Sequence, residues 1–256
     1  MTRGVRQIVR FNWPFYVAAL LSIVAVSGVA GRLPLPAGAR AALYAATALS
    51  AFWIAGSLVA SWIVYDRSDL MRWTWIGRAL DRTPATWINI HAGLDESTEA
   101  LRSLFTAGRG RVFDIFDATE MTEPSIARAR ASSRTWPPAS GGLHDEPSEP
   151  ADYRDLPVPT GTVDAALLLL SAHELRTDQA RGALFDELRR VLAPAGRVVV
   201  AEHLRDWANF AAFGPGFLHF HSRGAWLRAF ARARLAIQSE FAITPFVRVF
   251  VLRRSL

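Results

Sequence analysis

Two uninterrupted runs of uncharged residues dominate the start of the chain: 21 residues at positions 11–31, FNWPFYVAALLSIVAVSGVAG, and 25 at positions 41–65, AALYAATALSAFWIAGSLVASWIVY. Each is long enough, at about 1.5 Å per helical residue, to cross a hydrocarbon layer of about 30 Å. Neither run has a polar face, so a soluble home would have to cover each helix on every side. Trp13, Trp62 and Tyr65 fall near the ends, where amphipathic rings favour a membrane interface, and Pro34, Pro36 and Gly38 suit a tight turn between the runs. The pattern predicts a transmembrane hairpin over residues 1–66, with spans at about 12–31 and 41–65.

Charge then orients the hairpin. The chain of 256 residues carries 29 basic and 23 acidic side chains, net +6, with no lysine and no cysteine. Disulfides, cysteine-ligated zinc, iron–sulfur clusters and thiol nucleophiles are therefore excluded. Residues 1–82 hold nine arginines against three acids, whereas residues 83–256 hold twenty of each. The excess is thus a flank to the spans and not a nucleic-acid groove, and no nucleic-acid partner is expected. Arg3, Arg6 and Arg10 precede the first span and Arg67, Arg72, Arg78 and Arg82 follow the second, which predicts that both ends and the domain beyond lie in the cytoplasm, with membrane lipids around the hairpin. Leu70, Trp73 and Leu80, with arginines around them, make residues 67–82 an expected amphipathic linker helix. It would lie along the headgroups or pack on the domain that follows.

From residue 83 the rhythm becomes strand, loop, helix. TWINIH is β-rich, a helix follows at 97–105 with Ser97 or Asp95 as its cap, and GRGRVFDIFD is a second strand ending at Asp117. Another helix is expected from about Pro124, and residues 130–150 are rich in Ser, Pro and Gly and read as a mobile loop. TVDAALLLLSAHEL is a nearly continuous apolar run and RVVVAEHL another buried strand, as in strands covered on both faces of a parallel sheet, and a closing pair of strands ends the chain. Residues 83–256 are expected to form one α/β domain with a doubly wound, mainly parallel sheet. In such sheets ligands sit beyond the carboxyl ends of the strands.

LPVPTGTVDAALLLLSAHEL and ELRRVLAPAGRVVVAEH carry a linked set of positions: Asp152, Leu156, Pro157, Val163, Asp164, His173, Arg190, Val191, Leu192, Pro194, Ala195 and Gly196. In this order they resemble the second half of class I S-adenosylmethionine-dependent methyltransferases, close to the type 11 group. The resemblance implies a Rossmann-like methyltransferase sheet and S-adenosyl-L-methionine as cofactor. It makes Asp117 the acid for the cofactor ribose, with Asp114 as second choice, and adds Asp152 to the cofactor set. The family's glycine-rich first turn, laid on TWINIHAGLDES, puts Asn89 at its acid, His91 and Asp95 at two of its glycines, and Gly93 at the one glycine kept. His91 and Gly93 are thereby expected beside the cofactor.

His173 and Glu174 follow one apolar strand, Glu202 and His203 end the next, and His219 and His221 flank Phe220. A histidine beside a carboxylate can take the proton of a phenol or hydroxyl, so His173 and Glu202, with His203, are the catalytic candidates. Equally, such groups can hydrogen-bond one another and the loop backbone. No close pair has the helical i, i+4 spacing of a metal-binding helix, and no metal is expected. The reading that follows is a membrane-anchored methyltransferase acting on a small, lipophilic acceptor at the cytoplasmic membrane face. Two alternatives stay open: a methyltransferase fold without cofactor that serves as a membrane-associated binding module, and a metal-dependent hydrolase.

Overall fold

The computed structural model describes residues 3–133 and 148–255. Helices α1 (Arg3–Arg32) and α2 (Ala37–Ser61) form the hairpin, turning through residues 33–36. Both are long and apolar enough to cross a membrane. Phe15 and Leu21 of α1 are 64% exposed and Phe52 of α2 is 59% exposed, so nothing among the described residues covers these side chains. α1 begins well before the expected span because the Asp66 carboxylate accepts from the backbone N–H of Gly4 (2.9 Å) and Val5 (3.1 Å). An anion there satisfies orphan donors at the positive end of the helix dipole.

The expected continuous helix over 67–82 is corrected by the structure. The chain leaves α2 through a π-turn (Trp62–Arg67), a short 3₁₀ turn (Leu70–Arg72) and helix α3 (Trp75–Leu80), and the left-handed conformation of Trp73 (φ 57°) interrupts it. Val64, Leu70, Trp73, Trp75, Ile76 and Leu80 are buried against one face of the sheet, not laid on headgroups. The same apolar spacing serves either purpose. Packing wins because α4 (Thr98–Leu104), the helix that joins these residues over that face, has only two turns to cover it with. The expected domain boundary at residue 83 therefore cuts through a layer of the core.

The sheet comprises β1 (Thr86–His91), β2 (Arg109–Asp114), β3 (Glu149–Pro150), β4 (Val163–Leu169), β5 (Leu192–His203), β6 (Leu235–Thr244) and β7 (Val247–Arg254), in the order β3-β2-β1-β4-β5-β7-β6. β1 to β5 pair in parallel, and β7 runs antiparallel to β5 and β6. Strict alternation explains the continuous apolar runs: Ala166, Leu168, Val198 and Val200 enter one core, while Ala165, Leu167, Val199 and Ala201 enter the other. α5 (Pro124–Ser133), α6 (Asp178–Val191) and α8 (Arg223–Arg232) cover the first core. Thr177 and Ser222 cap α6 and α8 by accepting from Ala180 and Ala225 backbone N–H groups. The expected α/β sheet is present, and its strand order reverses between β1 and β4, which opens a crevice at their carboxyl ends. β2 stops at Asp114, three residues before the strand end expected at Asp117. Most of the Ser/Pro/Gly-rich stretch read as a mobile loop, residues 134–147, lies outside the described residues.

Candidate active site

A cleft of about 2940 Å³ runs along the strand ends, and its wall extends from His91, Gly93 and Asp114 to His173, Glu174 and His219 and on to Phe11, Phe15, Ser57 and Ser61 of the hairpin.

On the β1 side, Asn89 organises the turn. Its side-chain amide donates to Asp95, Ser97 (2.9 Å) and Thr98 (2.8 Å), while Asp95 accepts from the Ser97 and Thr98 backbone and so caps α4. His91 folds back on the loop: Gly93 N–H donates to its Nδ1 (3.1 Å), which leaves Nε2–H for the Ser148 hydroxyl (2.7 Å). Burial pushes this imidazole down against the pull of Asp95 and Asp114, so it stays neutral at pH 7. Gly93 has φ +126°, a region closed to residues with a side chain, and a Cβ there would lie 2.5 Å from Arg130.

Asp114, not Asp117, is the strand-two acid in this cleft. Arg130 of α5 pairs with it at 2.7 Å and stacks 4.1 Å from the Phe116 ring. Asp117 and Asp152 instead line a neighbouring cleft of about 310 Å³ with Phe116 and Arg154. Asp117 accepts from the Thr119 backbone and hydroxyl, which hold its carboxyl below the usual range. The expected cofactor set is thus divided: His91 and Gly93 share one cleft, Asp117 and Asp152 the other. The shift follows from the early end of β2, which turns the chain away before Asp117.

On the β4 and β5 side the polar groups are buried and paired. Glu202, fully buried, accepts from Ala172 N–H (2.8 Å) and His173 N–H (3.2 Å) on one oxygen and from His173 Nδ1–H (2.8 Å) on the other. His173 Nε2 faces Glu174 at 3.5 Å. Burial alone would favour neutral His173, but the Glu202 charge and the hydrogen bonds to Glu174 and Glu202 outweigh it and raise its pKa to about 10. A pKa this high favours the protonated form of His173 at neutral pH. Burial raises Glu174, yet the His173 hydrogen bond and the charges around it hold the carboxyl below its ordinary value. His219, whose ring meets that of His173 edge to face at 5.2 Å, is pushed down to about 4 by burial and by the His173 charge.

His203 is tied off. Its Nδ1–H donates to Phe246 C=O (2.9 Å), its Nε2 accepts from the Tyr65 hydroxyl (3.2 Å), and burial lowers it to about 4. Both nitrogens serve structure, joining the end of β5 to the end of the second hairpin helix. His221 accepts from buried Arg181 at 2.9 Å. Glu202 and His173, expected together from their strand ends, are paired, and Glu174 and His219 complete the cluster. Sequence separation hid the connection with His219, which arrives on a 3₁₀ turn (Gly214–His219) after α7 (Trp207–Phe213). That turn packs on the hairpin: Gly214 (φ +54°) lies where a Cβ would meet the Trp53 ring at 2.4 Å, and at Gly56 a Cβ would lie 3.0 Å from Ala212 C=O.

Residues 96–200 match the methyltransferase domain family. No curated protein matches the chain. Among solved structures, a SAM-dependent methyltransferase from Aquifex aeolicus is 16% identical with a TM-score of 0.52, covering 73% of this chain and 93% of that one. The pyocyanin biosynthetic protein PhzM is 21% identical with a TM-score of 0.54 over 99% of this chain and 74% of its own. Mitomycin 7-O-methyltransferase MmcR is 17% identical with a TM-score of 0.52 over 98% and 72%. Strand order and these likenesses agree on the fold: the sheet is that of class I methyltransferases, and residues 96–200 resemble the methyltransferase domain family.

Proposed function

We propose that this chain transfers the methyl group of S-adenosylmethionine to a small, lipophilic acceptor that enters from the membrane at the cytoplasmic face. The observation that carries the reading is the continuity of the cleft, whose wall passes from Phe11, Phe15 and Ser57 of the two hairpin helices to His173 and Glu174 at the strand ends. An acceptor dissolved in the bilayer is concentrated at that mouth. The exposed apolar faces of α1 and α2 and the arginines at their domain-side ends support the anchoring and its orientation. α7 supports it too: it docks on α2 at Gly56 and presents Trp207 83% exposed, as suits an interfacial ring. No nucleic-acid contact is part of this reading.

The residues present fit the cofactor. The Asp114 carboxylate can accept from both hydroxyls of a ribose, and the Gly93 turn has a Cβ-free cradle that Arg130 fills. When bound, the cofactor supplies a sulfonium methyl as electrophile. Binding asks Arg130 to swing from Asp114, which frees that carboxylate for the ribose. The chain's own contribution is to hold the two reactants in line and exclude water, which alone lowers a bimolecular barrier substantially. His173, protonated and clamped by two carboxylates, offers charge and orientation to a polar head of the acceptor.

The Arg130–Asp114 pair also favours a second reading, a domain that keeps the fold and binds a partner without cofactor. One experiment separates the two. Full-length protein is incubated with methyl-labelled S-adenosylmethionine and a bacterial lipid extract, and label is expected in the organic phase with wild-type protein and not with Gly93→Ala. Label that stays in water while S-adenosylhomocysteine forms rejects the lipophilic acceptor; no S-adenosylhomocysteine and no cofactor binding supports the second reading.

A further inference from the structure

Three potential ligand atoms, an imidazole nitrogen each from His173 and His219 and a carboxylate oxygen of Glu174, lie within 4.8 Å of one another. The edge from His173 Nε2 to Glu174 Oε1 is 3.5 Å, close to the ~3.3 Å between two ligands of a tetrahedral ion bound at about 2.0–2.1 Å. Glu174 is 9% exposed, and its Oε2 is buried with no hydrogen-bond partner among the described residues. Folded proteins rarely leave such an acceptor orphaned. Behind the cluster, Glu202 receives His173 Nδ1–H and so aims Nε2 at Glu174, the arrangement in which a carboxylate supports a metal-bound imidazole. Arg176 donates to the backbone carbonyls of both His173 and His219 and ties the two ligand-bearing segments together.

We propose that His173, Glu174 and His219 bind a divalent first-row transition-metal ion of the zinc class, with an open position facing the cleft that takes an oxygen ligand. Two imidazoles and one carboxylate are donors of intermediate softness, suited to zinc, cobalt or iron(II) and poorly to magnesium or calcium. The cation takes the place of the proton on His173 Nε2. Three protein ligands on the cleft wall are the count at which a metal site keeps a vacancy for a small molecule. This site escaped the sequence because its ligands come from two separate loops and not from one helix. The proposal does not rest on methyl transfer: the cluster binds a cation whatever the domain catalyses.

The test uses full-length protein in detergent, stripped with chelator, then titrated with zinc chloride by calorimetry and with cobalt chloride by visible absorption. One ion per chain and cobalt d–d bands are expected. His219→Ala and Glu174→Ala should each remove stoichiometric binding, and Glu202→Gln should weaken it about 10–100-fold. His221→Asn, whose imidazole faces Arg181 outside the cluster, should keep one ion, and circular dichroism verifies that every variant is folded. Absence of a stoichiometric ion in folded wild-type protein, or binding unchanged in both ligand variants, overturns the proposal.

Discussion

Over β1 and β2 the crevice is lined by a neutral histidine turned into its own loop, one glycine, and a carboxylate that an arginine covers. Over β4 and β5 it is lined by the His173 imidazole, held between the Glu202 and Glu174 carboxylates, and by His219 beside them. The first set is partly exposed: the Arg130 and Asp114 side chains are 25% and 18% open to solvent. The second is anchored on Glu202, which is fully buried. Ion pairs near solvent exchange partners cheaply, whereas a buried pair resists change because breaking it strands a charge. On the proposed function, rearrangement on ligand binding is expected over β1 and β2, and the β4 and β5 side is expected to serve as the fixed template.

The largest effect expected is loss of the wall beneath both sides. Val64, Leu70, Trp73, Trp75, Ile76 and Leu80 are buried in the second core, and at about 1.5–3 kcal/mol each they rival the whole stability of a domain. A chain starting at residue 83 should show no cooperative thermal transition, while one starting at residue 62 should keep it. Next, Glu202→Ala should cost about 3–5 kcal/mol in urea unfolding by leaving His173 uncompensated, whereas Asp114→Ala should stay within about 1 kcal/mol. Equal costs would erase the distinction between the two sides. Gly93→Ala, forced into a backbone region that only glycine enters freely, should cost about 1–3 kcal/mol and abolish cofactor binding while leaving zinc binding on the other side intact.

A smaller effect concerns pH. His203 and His219 are lowered from 6.5 to about 4, and His221 to about 3, chiefly by burial. Between these values the unfolded chain binds more protons than the folded one, so stability present above pH 6.5 is lost as pH falls through 4. His173, raised to about 10, acts oppositely: its contribution is full below 6.5 and fades as pH rises through 10. Melting temperature should drop between pH 7 and pH 5, and His221→Asn should flatten that slope. The smallest change is expected for Arg130→Ala, a few-fold tighter binding of S-adenosylhomocysteine as Asp114 is uncovered.

Much of the sheet was legible because the centres of β4 and β5, residues 165–169 and 198–201, are apolar without interruption and the linked positions from Asp152 to Gly196 fix their order. The histidine and glutamate clusters were legible as strand-end residues, but their pairing was not. Glu174 and Glu202 both reach His173, and only packing decides that Glu202 takes Nδ1 from beneath. The role of residues 64–80 was hidden because apolar spacing looks the same against lipid and against a sheet. The end of the second strand was expected three residues late: a strand end is set by where pairing stops, and β2 stops at Asp114, not Asp117. His219 could not be joined to His173 without knowing that α7 and its following turn rest on Trp53 and Gly56 of the hairpin.

The most direct measurement is calorimetry of full-length protein in detergent with S-adenosylmethionine and S-adenosylhomocysteine. Saturable binding of both, lost in Asp114→Ala and kept in Asp117→Ala, is the predicted result. No heat of binding for either ligand, in protein that still melts cooperatively, would contradict a working methyltransferase site.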